Sequence, residues 1–200
     1  MLGLILASSD LCRKVVMTET TEVLPNLINN MNLNIDNRGI DPHMNSRPEA
    51  PLETKSISVR RLRWDKVKED VHACKQDDDS HDLQSHSFDT IVGTDVVFST
   101  KLVKPLLKTL KKMSHSKTII YLCLQIRCAD SHALLLKKAA KYGFECIDYT
   151  DELKEMPVYS WGLELECKIL RLSISEMRSR KKRERKLDLY PHEETKRMRR

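Results

Sequence analysis

The stretch that decides the fold is Phe88-Asp-Thr-Ile-Val-Gly-Thr-Asp-Val-Val-Phe98, which is followed at once by a lysine-rich segment. Residues Phe88–Val97 form a near-continuous apolar run, typical of a strand buried on both faces of a parallel sheet. Thr100–Met113 repeats apolar residues at helical spacing, and Thr118–Gln125 is a second apolar strand. This succession of strand, helix and strand predicts a parallel unit of an α/β fold.

The C-terminal side continues the alternation. Ser131–Gly143 has the pattern of a helix that ends at Gly143, the residue type that helix C-termini prefer. Phe144–Tyr149 and Leu163–Ser173 are predicted strands with a loop through Pro157 and Trp161 between them. Since no helix separates these strands, we expect them to pair antiparallel at one edge of the sheet.

The N-terminal side adds two more predicted strands with a helix between them. Leu2–Ala7 suits a buried helix, Arg13–Thr18 and Ile57–Leu62 suit strands, and Val23–Leu33 suits a helix. The intervening residues 36–54 predict a loop, and Lys66–Ser87 predicts a polar connection. Together these elements predict a doubly wound, Rossmann-like sheet, although alternation alone fits many nucleotide-binding folds.

Charge divides the chain into a body and a tail. The net charge is +6, but residues 177–200 alone hold 11 Lys and Arg against 4 Asp and Glu. We therefore predict one domain over residues 1–175 and a basic tail, helical or disordered, over 176–200. The remainder is nearly neutral, so a basic domain face for nucleic acid is not expected, and nucleic-acid contact is confined to the tail.

Cysteine spacing and hydropathy exclude several classes of protein. The six cysteines lie far apart without a Cys-x-x-Cys pair, which indicates reduced, structural thiols and no metal site. The apolar run Met1–Ala7 is too short for a secretory signal, and no run is long enough to span a bilayer. We expect a soluble monomer of the cytoplasm or nucleus.

Three strand ends carry groups suited to a ligand, which binds at the carboxyl ends of strands in such sheets. Glu19 can accept hydrogen bonds from ribose hydroxyls, or it can simply favour the start of the next helix. Trp64 and Asp65 can contact an adenine, or Trp64 can close a core edge. Asp95 is costly beside apolar residues unless it is paired or faces a polar cleft. Otherwise it is solvated at the strand end, while Ser99 or Thr100 caps the next helix.

Taken together, these segments resemble the protein-lysine methyltransferase family that includes the valosin-containing-protein lysine methyltransferase. The likeness covers about residues 1–175. It includes the acidic Glu19 after a predicted strand, the helix that follows, and three further motifs. These are Leu62-Arg-Trp64, the segment Phe88–Phe98, and Pro105-Leu-Leu-Lys-Thr-Leu110. The segment 88–98 is the most specific, since it matches a family pattern of the form Phe-Asp-x-Ile-x-Gly-x-Asp-x-x-Tyr.

The resemblance implies a class I methyltransferase fold with S-adenosyl-L-methionine as cofactor and a protein lysine as substrate. Its residues would bind the cofactor through Gly3, Glu19, Trp64, Asp65 and the backbone of Thr94. Asp95 and Phe98 would lie where the methyl group meets the substrate lysine. No membrane partner and no metal are implied.

The sequence departs from the family pattern in two places. Phe98 replaces the tyrosine of the Asp-x-x-Tyr motif, which removes a hydroxyl from the expected catalytic position. Only Gly3 matches the glycine-rich loop, as its last glycine, and the first strand has no counterpart. We therefore expect a truncated sheet whose neighbouring strands face a gap, and weak cofactor binding by this chain as it stands.

The sequence thus leaves three functions to compare. The first is a protein-lysine N-methyltransferase, and the second is a non-catalytic methyltransferase-like binding module with a nuclear-targeting basic tail. The third, a methyltransferase acting on nucleic acid or a small molecule, lacks a base-stacking motif and a basic domain face. Cofactor binding separates the first from the second.

Overall fold

The computed structural model describes residues 3, 5–6, 12–36, 56–76, 82–154 and 167–175. The chain divides into two compact units, residues 1–85 and 86–200. In both units strands alternate with helices, so the predicted α/β, Rossmann-like class is confirmed. The single domain over residues 1–175 and the basic tail remain predictions, and the loop at residues 37–55 lies outside the described part.

The first unit is built on two parallel strands. Strand β1, Lys14–Glu19, pairs with β2, Ser56–Arg61, in a register that places Glu19 opposite Arg61. Helix α1, Leu24–Asp36, separates them in sequence. The strands and this helix match the predicted elements to within a few residues. Gly3, Ile5 and Leu6 are helical, but Ile5 is 56% exposed, so a wholly buried helix over residues 2–7 was wrong.

A further helix in the first unit corrects the expectation of a polar connection over residues 66–87. A 3₁₀ turn, Trp64–Lys66, leads into α2, Val67–Gln76, whose buried residues include Val71 and Asp70. Leu83, beyond this helix, is 1% exposed. Buried charge explains the error, because an acidic residue on the inner face of a short helix breaks the apolar pattern that identifies it.

Two buried carboxylates hold this unit together. Asp70 accepts hydrogen bonds from the Arg63 backbone N–H at 2.7 Å and guanidinium at 2.6 Å, and Arg61 adds a third at 3.2 Å. Asp82 lies 2.6 Å from the Lys14 ammonium. The Asp70 side chain is 1% exposed, so it is stable as a charge only because these donors surround it.

The second unit is a four-stranded sheet in the order β3-β4-β6-β5. Its strands are β3, Phe88–Thr94; β4, Ser114–Gln125; β5, Phe144–Asp148; and β6, Cys167–Ile174. The first pair is parallel, and β6 runs antiparallel to both of its neighbours. The predicted antiparallel pairing of the last two strands is confirmed, with β5 at the edge. The expectation that no helix separates them was wrong, because the short segment Thr150–Lys154 is helical.

Three helices accompany this sheet: α3, Thr100–Met113; α4, Ala129–Tyr142; and α5, Thr150–Lys154. Helix α4 packs against α3 and β5 and ends at Gly143, whose φ of 85° is the left-handed conformation that glycine adopts readily. The core of the unit comes from β4, β6, α3 and α4. Its most buried members are Val103, Leu107, Ile120, Leu122, Leu135, Leu170 and Leu172.

Strand β3 is less buried than its composition predicts. It is an edge strand of the four-stranded sheet, and Val92 is 37% exposed although its neighbours in sequence are apolar. Full burial on both faces, expected from the near-continuous apolar run, was therefore wrong. The strand nevertheless ends at Thr94, which puts Asp95 directly after it.

All six cysteines are free thiols, in agreement with the spacing. Among the residues that the structure describes, no group of three or more His, Cys, Asp or Glu side chains is arranged to hold a metal ion. No helix in that part of the chain is long and apolar enough to cross a membrane.

Candidate functional site

The predicted site residues fall into two groups, one in each unit. Glu19, Trp64 and Asp65 lie at the carboxyl ends of β1 and β2, whereas Thr94 and Asp95 lie at the carboxyl end of β3. Each group is therefore at the strand ends where α/β sheets bind ligands, as the sequence predicts.

In the first unit, parallel pairing brings the acidic residue and the aromatic residue to one edge. The Glu19 carbonyl accepts a hydrogen bond from the Leu62 N–H at 2.9 Å, just before the turn that carries Trp64. Trp64 is half-buried and Asp65 is exposed. An indole and two carboxylates at one edge suit a nucleoside, which needs a flat apolar surface and acceptors for its hydroxyl groups.

The Glu19 carboxylate also has a local partner. Its Oε2 accepts the N–H of the next residue, Thr20, at 2.9 Å. The following helix begins only at Leu24 and has no acidic residue in its first turn, so this bond gives no support to Glu19 as a helix-start residue. A carboxylate has several acceptor positions, so this one bond leaves room for a ligand hydroxyl.

Gly3 packs closely against strand β1. A Cβ at this position would lie 2.6 Å from both Cγ and Sδ of Met17, whose side chain is buried. The absence of a side chain therefore lets the helical residue approach the strand, the role of the last glycine in a dinucleotide-binding loop. Its contact with a cofactor remains a prediction.

In the second unit, Asp95 is bound to the neighbouring strand, which the sequence did not reveal. Its N–H donates to the Cys123 carbonyl at 2.9 Å, and its Oδ1 accepts the Gln125 N–H at 3.1 Å. Its Oδ2 accepts from Arg127 Nη2 at 3.1 Å. Asp95 is thus paired, one of the two situations in which the sequence analysis allows a carboxylate here, and it ties the end of β3 to the end of β4.

Asp95 also adopts an uncommon backbone conformation. Its φ is 53°, in the left-handed region, which Asp and Asn tolerate better than other residues with side chains. The side chain is nevertheless 51% exposed, so the carboxylate has a solvent-facing surface in addition to its internal bonds. A conformation of this kind at a strand end is frequent at functional sites.

Gln125 and Arg127 are the functional candidates that the sequence missed. Arg127 Nε donates to the Gln125 side-chain oxygen at 2.8 Å, which fixes the guanidinium against the carboxylate of Asp95. Neither residue belongs to a recognisable motif. Only the position of Gln125 at the carboxyl end of β4, next to the strand that carries Asp95, could have indicated them.

The thiols near Asp95 are kept neutral by their surroundings. Burial and the charge of Asp95 together raise the pKa of Cys167, and burial, Cys167 and Asp95 raise the pKa of Cys123. A protonated thiol is a poor nucleophile. These cysteines are therefore packing residues, and Asp95 and Arg127 supply the charges at this strand edge.

Phe98 is the most exposed aromatic residue of this region. It follows β3 by four residues, directly before the Ser99 cap of α3, and is 60% exposed. Ser99 accepts the Lys101 N–H at 3.4 Å, so the capping role considered for it is confirmed. A single exposed apolar side chain is common on protein surfaces, so the role of Phe98 rests on its position in the motif and not on its exposure.

The mixed α/β fold with its parallel strand pairs is consistent with a Rossmann-like methyltransferase. A family model for lysine methyltransferases matches residues 1–141, and the chain belongs to that family. A comparison with curated proteins finds no significant match. The match includes both groups of site residues, and it supports methyl transfer as the general activity of the fold.

Proposed function

We propose that this protein is an S-adenosyl-L-methionine-dependent methyltransferase that acts on lysine side chains of proteins. The observation that carries the proposal is the family match over residues 1–141, combined with ligand-suited groups at the ends of β1, β2 and β3. The cofactor would supply an electrophilic methyl group on a sulfonium sulfur. All other roles belong to residues of the chain.

The nucleoside roles fall to the first unit. Glu19 would accept hydrogen bonds from the ribose hydroxyls, and Trp64 would cover the adenine with Asp65 accepting from its amino group. Charge-assisted acceptors of this kind are worth more than neutral ones. The two carboxylates and the half-buried indole at this edge suit these contacts, and Gly3 would contribute through its packing on Met17.

The substrate roles fall to Asp95 and Phe98. The exposed half of the Asp95 carboxylate would accept a hydrogen bond from the substrate nitrogen and so orient it, while Arg127 and the Gln125 N–H hold that carboxylate in place. The Phe98 ring would pack along the lysine stem or face its cationic head. Thr94 would line the cofactor by its backbone, as the family pattern implies.

One observation favours a second candidate, a non-catalytic binding module. Both carboxylate oxygens of Asp95 already accept hydrogen bonds from the chain itself. A residue used only in this way would stabilise the strand end without contacting substrate. In that case the family fold would serve partner contact, with the basic tail directing the protein to the nucleus.

Calorimetric titration with S-adenosylhomocysteine separates the two candidates. If the chain is a methyltransferase, it should bind this ligand with measurable heat, but more weakly than the micromolar Kd, about −8 kcal/mol, expected of a site with a full glycine-rich loop. Glu19→Gln should weaken binding about tenfold through loss of a charged acceptor, whereas Glu22→Gln, an exposed neighbour, should have no effect. No heat of binding, or equal behaviour of both variants, would favour the binding module.

The same proposal includes the protein's partners and location. We propose that it acts as a monomer on a protein substrate, in the cytoplasm and the nucleus, with residues 178–186 as an import signal. The substrate is then identified by mass spectrometry of methyl-lysine, after candidate proteins are incubated with this protein and labelled cofactor. An Asp95→Asn sample, assayed in parallel, controls for background methylation.

A further inference from the structure

The α3 helix carries a face composed of lysines alone. Four of its five lysines, which we term the lysine face, lie within an arc of about 80°, given about 100° per residue. They are Lys101, Lys104, Lys108 and Lys112, opposite the buried Leu110. The fifth, Lys111, places its ammonium 5.6 Å from the centre of the Phe144 ring and is excluded from this face.

The adjacent helix extends this charge. Helix α4 packs against α3 and has lysines at 137, 138 and 141 near its C-terminal end. Its only acidic residue, Asp130, lies in the first turn, about 10 Å along the axis from Lys137. The body is neutral only on average, because these two helices hold eight lysines and one acidic residue.

The fold itself does not require these lysines. Lys101, Lys104 and Lys108 are exposed, and within the described part of the chain no acidic side chain forms an ion pair with any of them. Like charges three or four residues apart destabilise a helix, and a positive charge in the first turn opposes the helix dipole. Lys112 lies in the last turn, where a cation is favourable, but Lys101, Lys104 and Lys108 do not, so helix stability does not explain these three.

We propose that the lysine face is the docking surface for an acidic segment of a polypeptide. The face is about 16 Å long, which an extended segment of about five residues spans. It starts at Lys101, three residues after the exposed Phe98 and close to Asp95. The proposal rests on the proposed function in one respect, namely that the docked polypeptide is the protein whose lysine is methylated.

The composition of the surface favours a polypeptide over nucleic acid. Helices α3 and α4 contain no arginine, the residue most used to read bases and to insert into narrow grooves. Tyr142 is the only aromatic residue in the two helices, and it is half-buried, so it offers no stacking platform. Lysine ammonium groups in a row instead match the point charges of successive acidic side chains.

The test uses the full chain and a fluorescein-labelled peptide of about ten residues, in which glutamates alternate with serine and leucine around one lysine. The triple variant K101Q/K104Q/K108Q should weaken peptide binding about fivefold to tenfold at low salt. The matched control, K66Q/K68Q/K75Q, removes the same charge from three exposed lysines of the first unit and should change binding less than twofold. Circular dichroism verifies that both variants retain helix, since glutamine and lysine have similar helix propensities.

Equal losses in the two triple variants would overturn the proposal, because they would indicate non-specific attraction. The proposal would also be overturned if K101Q/K104Q/K108Q lost more affinity for a labelled DNA duplex than for the peptide. The measurement needs no cofactor, so it remains decisive even if the protein binds no S-adenosylhomocysteine. A protein that binds cofactor but shows no selective loss would retain the proposed function without this docking surface.

Discussion

At the residue scale, Asp95 has both a predicted role in the site and a structural role, which the sequence could not separate. The motif marks it as a site residue, while its bonds to Gln125 and Arg127 give it a structural role. Its φ of 53° adds a constraint on what can replace it. An alanine substitution would therefore change activity and stability at the same time, so an isosteric substitution is needed to separate the two effects.

We predict that Asp95→Ala and Asp95→Asn behave differently. Alanine loses both side-chain hydrogen bonds and is strained at positive φ, so it should lower the free energy of unfolding by about 2–3 kcal/mol. Asparagine tolerates this φ and keeps an acceptor, so its cost should stay below about 1 kcal/mol while methyl transfer is lost. Urea unfolding and a methyl-transfer assay provide the two measurements.

The Arg127→Gln variant completes that comparison. It breaks the ion pair with Asp95 but leaves the Gln125 N–H bond and the backbone unchanged. Since both side chains are more than half exposed, the stability cost should be below about 1 kcal/mol. Full activity in Asp95→Asn would remove the carboxylate from the mechanism and leave it a purely structural residue.

Asp70 gives a pH-dependent prediction. Burial alone would raise its pKa, but the hydrogen bonds and charge of Arg63, with the charge of Arg61, lower it overall. A carboxylate with a lowered pKa in the folded state stabilises fully above its unfolded value of about 3.9, and this stabilisation disappears as the pH falls below it. The free energy of unfolding should thus be insensitive to Asp70 above about pH 5 and should fall steeply in more acidic solution.

The Asp70→Asn variant tests this directly. It cannot ionise, so it should be less stable than the parent by about 2 kcal/mol at neutral pH, and the gap should shrink as the pH falls below about 4. Denaturant titrations from about pH 3 to about pH 7, a range that includes the pKa of the unfolded state, provide the comparison. A constant difference in the free energy of unfolding over this range would mean that the Asp70 carboxylate has the same pKa in the folded and unfolded states.

At the element scale, sequence periodicity identified most helices and strands but failed where charge is buried. Helix α3 begins and ends where its apolar repeat predicts, because its buried residues are all uncharged. Helix α2 was missed because Asp70, paired with arginines, occupies a core position. The near-continuous apolar run of β3 indicated a central strand, but pairing partners, not composition, decide whether a strand lies at an edge.

The candidate site shows the same division. Motifs and strand ends placed Glu19 and Trp64 at one edge of the first unit and Asp95 at a strand end of the second, and their part in a site stays a prediction. They could not supply Arg127, because its contact with Asp95 depends on the turn after β4. The lysine face was also missed, since a charge average over the whole body conceals how lysines align along one helix.

The end of α4 gives a prediction at this scale. Gly143 caps the helix at a φ of 85°, and its N–H donates to carbonyls of the last turn. Gly143→Ala should lower the free energy of unfolding by about 1 kcal/mol, because a Cβ is disfavoured in this conformation. Gly143→Asn should cost less, and thermal unfolding of the two variants measures the difference. Equal melting temperatures for parent and Gly143→Ala would show that the turn can rearrange.

At the scale of the whole molecule, charge is segregated rather than balanced. The lysine face lies on one side of the second unit, the carboxylates occupy strand ends, and residues 177–200 carry a surplus of basic residues. We predict that the tail and the lysine face engage different partners and act independently.

The last prediction concerns the tail. Deleting residues 177–200 should move the protein from the nucleus to the cytoplasm, because the basic clusters 178–186 and 196–200 match nuclear import signals. The melting temperature should stay the same, since this segment has few apolar residues with which to join a core. Fluorescence microscopy of a tagged protein and a thermal melt provide the two readouts.

A matched variant distinguishes charge from length. Replacing the lysines and arginines of 178–186 by glutamine keeps the chain length but removes the basic cluster, and it should relocate the protein as the deletion does. Peptide binding to the lysine face should persist in both variants, although the non-specific background should fall. If the deletion lowers the melting temperature by several degrees, then the tail packs on the body, and its charge cannot be treated as a separate targeting signal.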